Sequence, residues 1–169
     1  GCRRVAAPAG RLHRHRGAAR ALAARVDKIA VFTAASETFN RRNINASISD
    51  SIERFRPVVD TAHQGGLPVR GYISTAFFCP YEGQMRPDDL LPVVQRLLEL
   101  GVDEICLADT VGEARPEDVR RGLEVVLPLC PVARLSLHFH DTYGHAVQNA
   151  LVAWQQYDVA VFDASAGGL

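Results

Sequence analysis

Two histidines end the alternating run Leu135-Ser136-Leu137-His138-Phe139-His140, and Asp141-Thr142-Tyr143-Gly144 follows at once. Residues two apart on a strand point to the same face. His138 and His140 are therefore expected side by side, with Phe139 on the other face. Two imidazoles in that arrangement can grip one metal ion from a rigid support. The same run also fits one buried, hydrogen-bonded histidine beside one on the surface. From the run alone the two readings stand level.

The elements that must position this pair alternate between helix and strand from residue 18 onward. Ala18 to Arg25 reads as the end of a helix, and Asp27 to Thr33 as a strand. Ser47 to Gln64 carries Ile48, Ile52, Phe55, Val58, Val59 and Ala62 at helical spacing, with Ser47 as cap and Gly65-Gly66 as terminator. Pro68 to Thr75 is strand-like. Pro87 to Leu100 is helical, ended by Gly101, with Pro92 expected to bend it. Asp103 to Ala108 forms the next strand, Asp109 to Gly112 a loop, and Pro116 to Leu127 a helix. Arg134 to His140 is the histidine strand. Gly144 to Gln156 is helical, with Ala146, Val147, Ala150, Leu151 and Trp154 expected inward. Asp158 to Asp163 is a final strand.

These connections are too short for antiparallel pairing, so the units are parallel βα pairs in an open sheet or a barrel. No GxGxxG or Walker pattern follows any strand, which argues against a nucleotide-binding sheet. Polar residues cluster after strands instead: Ser36-Glu37, Ser74-Thr75, Asp109-Thr110, His138/His140-Asp141 and Asp163-Ser165. Both a TIM barrel and an open sheet place their sites there. A whole barrel needs eight units and about 250 residues, and this chain has room for about five.

Composition sets the outer limits. The chain has 169 residues, 47% hydrophobic and 22% charged, which is ordinary for a globular domain. Net charge is zero, giving no reason to expect nucleic acid as a partner. No apolar run approaches the roughly 18 residues of a membrane span. Cys2, Cys79, Cys106 and Cys130 form no CxxC pair, which fits a reduced compartment. Residues 1–25 hold seven of the 19 Lys and Arg and none of the 19 Asp and Glu. Such a leader resembles a transit peptide, but it has no Ser and no helical apolar stripe. A disordered or mistranslated junction is the preferred reading. The first residue is not Met, so the natural start is expected elsewhere.

Five segments together resemble the hydroxymethylglutaryl-CoA lyases, a branch of the DRE-TIM metallolyase family. They are VFTAASETFNRRNINASI (31–48), VRGYISTAFFCPYEG (69–83), EICLADTVG (104–112), HFHDTYGHAVQNAL (138–151) and VAVFDASAGGL (159–169). The resemblance covers residues 18–169 and leaves 1–17 as an unmatched, disordered leader. Related condensing synthases share the barrel and the His-x-His. They usually continue with Asn-Asp and lack the Cys-Pro-Tyr-Glu-Gly loop. The resemblance implies α/β class and a partial (β/α)8 TIM barrel, about five βα units of the eight. It implies Mg2+ or Mn2+ as cofactor and an acyl-CoA partner. The implied reaction is cleavage of 3-hydroxy-3-methylglutaryl-CoA to acetyl-CoA and acetoacetate, as in leucine degradation and ketone-body formation. A homodimer is open to the intact enzyme. The expected compartment is the cytoplasm, or the mitochondrial matrix in a eukaryote.

Residue by residue, His138 and His140 match the two histidine ligands of the resemblance. Asp109 matches an active-site Asp that would position the substrate hydroxyl or a bound water, with a loop brace or helix cap as the competing reading. Asp141 either orients a histidine ring or caps the next helix. Thr110 and Ser74 are weaker candidates for substrate contact, with loop hydrogen bonding as the favoured reading. Arg41, Arg42, Asn43 and Asn45 are placed in the loop after the 27–33 strand, where Arg42 and Asn43 could meet the CoA moiety or form a solvated charge run. Cys79 has no histidine nearby in sequence and is read as a structural thiol. Glu37 fits an acid/base group or a salt-bridge partner.

The resemblance also implies groups outside the chain. A third ligand, an Asp, and a neighbouring Arg would come from a strand before residue 1. An Asn ligand and an acidic Cys would follow Leu169. Two imidazoles alone should hold Mg2+ poorly, since that ion prefers oxygen. The chain is therefore expected to be an inactive fragment of a lyase, prone to associate. The competing readings are a non-catalytic truncated paralogue serving as a binding or scaffold protein, and a related acyl-CoA aldolase or condensing enzyme.

Overall fold

The computed structural model describes residues 5–6 and 25–164. The strands are β1 (Val5–Ala6), β2 (Lys28–Ala34), β3 (Val69–Ser74), β4 (Phe78–Cys79), β5 (Gly83–Gln84), β6 (Glu104–Asp109), β7 (Leu135–Phe139) and β8 (Phe162–Asp163). The helices are α1 (Glu37–Ile44), α2 (Ile48–Gln64), α3 (Leu90–Leu100), α4 (Pro116–Val126) and α5 (Ala146–Tyr157). Single 3-10 turns at Pro87–Asp89 and Val132–Arg134 lead into α3 and β7.

The sheet order is β1-β2-β3-β6-β7-β8 and every pairing in it is parallel. The order follows the chain, interrupted only by the small β4–β5 hairpin. Among the described residues the strand order shows no reversal, unlike the switch point of a doubly wound fold. Helices α2, α3, α4 and α5 each pack on the next in one layer. This is the build of a (β/α) barrel seen over part of its circumference.

Side-chain alternation explains the layering. Ile29, Val31, Val69, Ile73, Ile105, Leu107, Leu135 and Leu137 share one core with Ile52, Phe55, Val94, Leu97, Val119 and Leu123 of the helices. Burying a side chain of this size contributes about 1.5–3 kcal/mol. Gly71 lets α3 close on β3: a Cβ there would stand 3.1 Å from Leu97 Cδ1. The alternate residues Lys28, Arg70, Tyr72, Glu104, Cys106, Ser136 and His138 face the concave side.

Several expectations need amending. Residues 37–44 are helix rather than loop, with Ser36 Oγ accepting the Phe39 N–H at 3.0 Å and Asn45 closing the C-terminus at φ 51. Arg41, Arg42 and Asn43 therefore ride on α1. Pro92 falls in the first turn of α3, where amide hydrogens have no helical partner. On α5 the buried residues are Asn149 and Ala153, while Val147, Leu151 and Trp154 are exposed rather than inward. The last strand is Phe162–Asp163, shorter than the 158–163 expected. Val5–Ala6, inside the leader read as disordered, pairs with β2. The rest of that leader, the helix end expected before Arg25, and Ser165 lie outside the described residues.

Candidate metal centre

β6 and β7 carry the relevant side chains to the carboxyl end of the sheet. His138 is the register partner of Ala108 on one side and of Asp163 on the other. His138 and His140 are both half-buried, and their Nε2 atoms lie 3.1 Å apart. The rings are nearly perpendicular, with centroids 4.8 Å apart. His138 Nδ1 is 3.1 Å from the Asp163 carbonyl oxygen. A carbonyl can only accept, so Nδ1 carries the hydrogen and a neutral ring keeps its lone pair on Nε2. The side-by-side placement expected from the strand period is what the structure shows.

A cavity of about 390 Å3 opens over the pair. Ser74, Thr110, His138, His140 and Asp163 line it, with Phe32 and Tyr72 stacked at 4.6 Å as an aromatic wall. Thr110 Oγ1 accepts the Thr75 N–H at 2.7 Å. Thr75 itself sits at φ 51, a region that β-branched residues seldom enter. Its hydroxyl donates to the Ser74 carbonyl at 2.7 Å. Strain at the end of β3 is thus held in place by groups bordering the cavity.

The other candidates sort themselves by contact. Asp109 is fully buried and absent from the cavity lining. Its two oxygens accept the Gly112 and Ala114 N–H groups, each at 3.1 Å. Burial pushes its carboxyl up, against the pull of those backbone donors and of nearby His140. These contacts brace the loop, the role that competes with substrate positioning for this residue. Asp141 Oδ1 accepts the Ala146 N–H at 2.9 Å and so caps α5. Arg42 lies over the Tyr81 ring at 4.4 Å, Asn43 is exposed, and neither lines the cavity. Glu37 accepts the Ile48 N–H and pairs with Arg41, both at 2.9 Å. Cys79 is fully buried and its thiol donates to Ser36 Oγ at 3.0 Å, which is a structural contact.

Sequence reasoning missed a polar network under the cavity. Arg70 Nη1 donates to both oxygens of Asp163 at 2.7 and 2.8 Å. The Tyr72 hydroxyl donates to the same carboxylate. Arg70 Nε donates to Glu104 at 2.7 Å, and Lys28 pairs with Glu104 as well. Burial raises the Asp163 carboxyl, but Tyr72 and Arg70 outweigh it and hold it below the usual carboxylate range. Burial also lifts the Cys106 thiol to about 12, leaving it protonated. On a flat sheet β3 and β8 would lie about 14 Å apart, since β6 and β7 intervene. Arg70 reaches Asp163 because the sheet curls. The signal in the sequence was a charged residue in each of four strands: Lys28, Arg70, Glu104 and Asp163.

Among the described residues no three His, Cys, Asp or Glu side chains converge as a metal cluster. The donors present are the two imidazoles, one on β7 and one just past its end, with the His138 tautomer set for ligation. That set fits half of a divalent-metal site with positions left open.

The HMGL-like family matches residues 6–167. The chain is 49% identical over 149 residues to the cytoplasmic 3-hydroxy-3-methylglutaryl-CoA lyase of Danio rerio, covering 88% of this chain and 44% of that protein. It superposes on the HMG-CoA lyase of Brucella melitensis with TM-score 0.90 and 41% identity, over 99% of this chain and 57% of the other. It also matches an HMG-CoA lyase from Acinetobacter baumannii in complex with coenzyme A and 3-methylmalate, with TM-score 0.80 and 36% identity over 91% and 50% of the two chains. The chain thus spans about half the length of the proteins it matches.

Proposed function

Because the chain belongs to the HMGL-like family, we propose that it forms part of a divalent-metal-dependent carbon–carbon lyase. The reaction is cleavage of 3-hydroxy-3-methylglutaryl-CoA into acetyl-CoA and acetoacetate. The observation that carries this reading is the His138/His140 pair, with Nε2 atoms 3.1 Å apart at the carboxyl end of a parallel sheet. Mg2+ or Mn2+ is the proposed ion. The cytoplasm, or the mitochondrial matrix in a eukaryote, is the proposed compartment.

The two Nε2 atoms would hold the ion from this chain's side. Bound there, a divalent cation supplies Lewis-acid polarisation of the substrate's C3 oxygen, which weakens the C2–C3 bond. Thr110 uses a lone pair on the Thr75 N–H and keeps its hydrogen for an acceptor in the cavity. Ser74 offers a second hydroxyl to the same space. Phe32 and Tyr72 keep one wall apolar, which strengthens polar contacts within. Asp109 works one step back, fixing the loop that presents Thr110. The acyl-CoA substrate is proposed by analogy with the coenzyme A complex of the Acinetobacter lyase.

The test is acetyl-CoA release with Mn2+ present, from this chain and from its natural full-length form, each beside its His138→Ala variant. Loss of Lewis-acid assistance worth several kcal/mol lowers turnover by about 10³-fold or more. Turnover unchanged by the substitution would overturn the reading. The presence of only two ligands among the described residues favours one second reading, a non-catalytic paralogue. That reading predicts ion binding without acetyl-CoA release in either form.

A further inference from the structure

We propose that Arg70, assisted by Tyr72, is a positioning residue that sets the His138 ring for ligation by clamping Asp163. The proposal rests on the reading of His138 and His140 as a metal-holding pair.

The need for a clamp follows from the strand that carries Asp163. β8 has two residues and, among the described residues, pairs with β7. Among the described residues, its backbone hold on β7 is the Leu137↔Phe162 and His138↔Asp163 pairings and one bond from the Leu137 N–H to Val161 O at 3.1 Å. Val161 and Phe162 are exposed. So short a ladder to β7 leaves the carbonyl's position to side-chain contacts as well. Yet the Asp163 carbonyl is the acceptor that keeps hydrogen on His138 Nδ1. Were that carbonyl to drift, the ring could place its hydrogen on Nε2 and lose its lone pair there.

Arg70 supplies the missing rigidity from across the concave face. Its Nη1 meets both Asp163 oxygens, and the Tyr72 hydroxyl adds a third donor to the same group. Arg70 is itself immobile. It is 5% exposed, and its Nε and Nη2 bond Glu104 at 2.7 and 2.6 Å. Glu104 is anchored in turn by Lys28 on β2. A planar guanidinium held on one side presents fixed donors on the other. Burial and the Asp163 carboxylate push the Tyr72 hydroxyl up, so it remains a donor. The order set by four strands thus ends on one backbone carbonyl, and that carbonyl selects the tautomer.

The experiment uses the full chain, with Co2+ alone as probe and 15N NMR of the histidine rings in the metal-free protein. Arg70→Met is expected to weaken Co2+ binding about tenfold or more. It should also move the His138 ring from the Nδ1–H form toward a tautomer mixture, while His63, bonded to Asp103, stays unchanged. Tyr72→Phe, which removes one hydroxyl, should do the same to a smaller degree. Arg70→Lys should recover part of the loss. Wild-type Co2+ affinity and an unmoved His138 tautomer in both Arg70→Met and Tyr72→Phe would overturn the proposal while leaving the metal pair intact. Should Arg70→Met fail to fold, Tyr72→Phe decides. If His138→Ala binds Co2+ as the wild type does, the metal-pair reading fails, and the metal-free tautomer still decides the link from Arg70 to His138.

Discussion

At the scale of single residues, Asp109 shows how one carboxylate at a strand end can brace the loop that follows it. Its oxygens satisfy two backbone N–H groups that have no helical or sheet partner. Removing a buried acceptor leaves such donors desolvated, at a cost of about 1–3 kcal/mol. Asp109→Ala should therefore lower stability by about that much in urea denaturation. Asp109→Asn, which keeps one acceptor oxygen, should lose less. Equal losses in the two variants would show that the Gly112 and Ala114 contacts matter little. The histidine pair differs in kind, because its imidazole nitrogens meet each other and face the cavity.

At the scale of elements, the loops after β6 and β7 are coupled through Gly112. It sits at φ +79, and a Cβ there would lie 2.8 Å from Thr142 Oγ1 and 2.9 Å from the His140 carbonyl oxygen. Gly112→Ala therefore carries backbone strain of about 1–3 kcal/mol and pushes on the residue that bears one imidazole. Its expected signature is a lower urea midpoint together with a shifted His140 ring resonance. A destabilised protein with an unmoved His140 would confine the effect to the β6 loop. Elements of this kind were legible in the sequence where one face is buried and caps are explicit. In α2 the Ser47 cap and the Ile52, Phe55, Val59 stripe appear as read, with Ser47 Oγ accepting the Asp50 N–H at 2.9 Å. α5 was read with the wrong face inward, because its apolar surface is wider than the surface it buries. Val147, Leu151 and Trp154 form a stripe beside the buried one, and periodicity alone cannot say which stripe meets a neighbour. The Arg70 network was missed for a different reason. Lys28, Arg70, Glu104 and Asp163 meet only after the sheet is assembled, and Arg70 and Glu104 are register partners 34 residues apart.

At the scale of the whole molecule, that network links folding to pH. Burial pushes the Glu104 carboxyl up, but the bonds and charges of Lys28 and Arg70 hold it below its ordinary 4.5. A carboxyl lowered in the folded state contributes stability that is fully present above its unfolded value. The contribution is lost as pH falls through the lowered folded value. The urea midpoint should therefore fall as pH drops below about 4.5, and Glu104→Gln should flatten that part of the profile. A Glu104→Gln profile parallel to the wild type would place the acid sensitivity elsewhere. The same ion pairs tie strands that a flat sheet would hold far apart. They act as the chord of an arch, fixing its span while the helices load it from outside. A concave face held in this way does not sample flattened forms that a ligand would have to select against. Its bending entropy is lost during folding, so a ligand entering over the histidines meets a surface already curved.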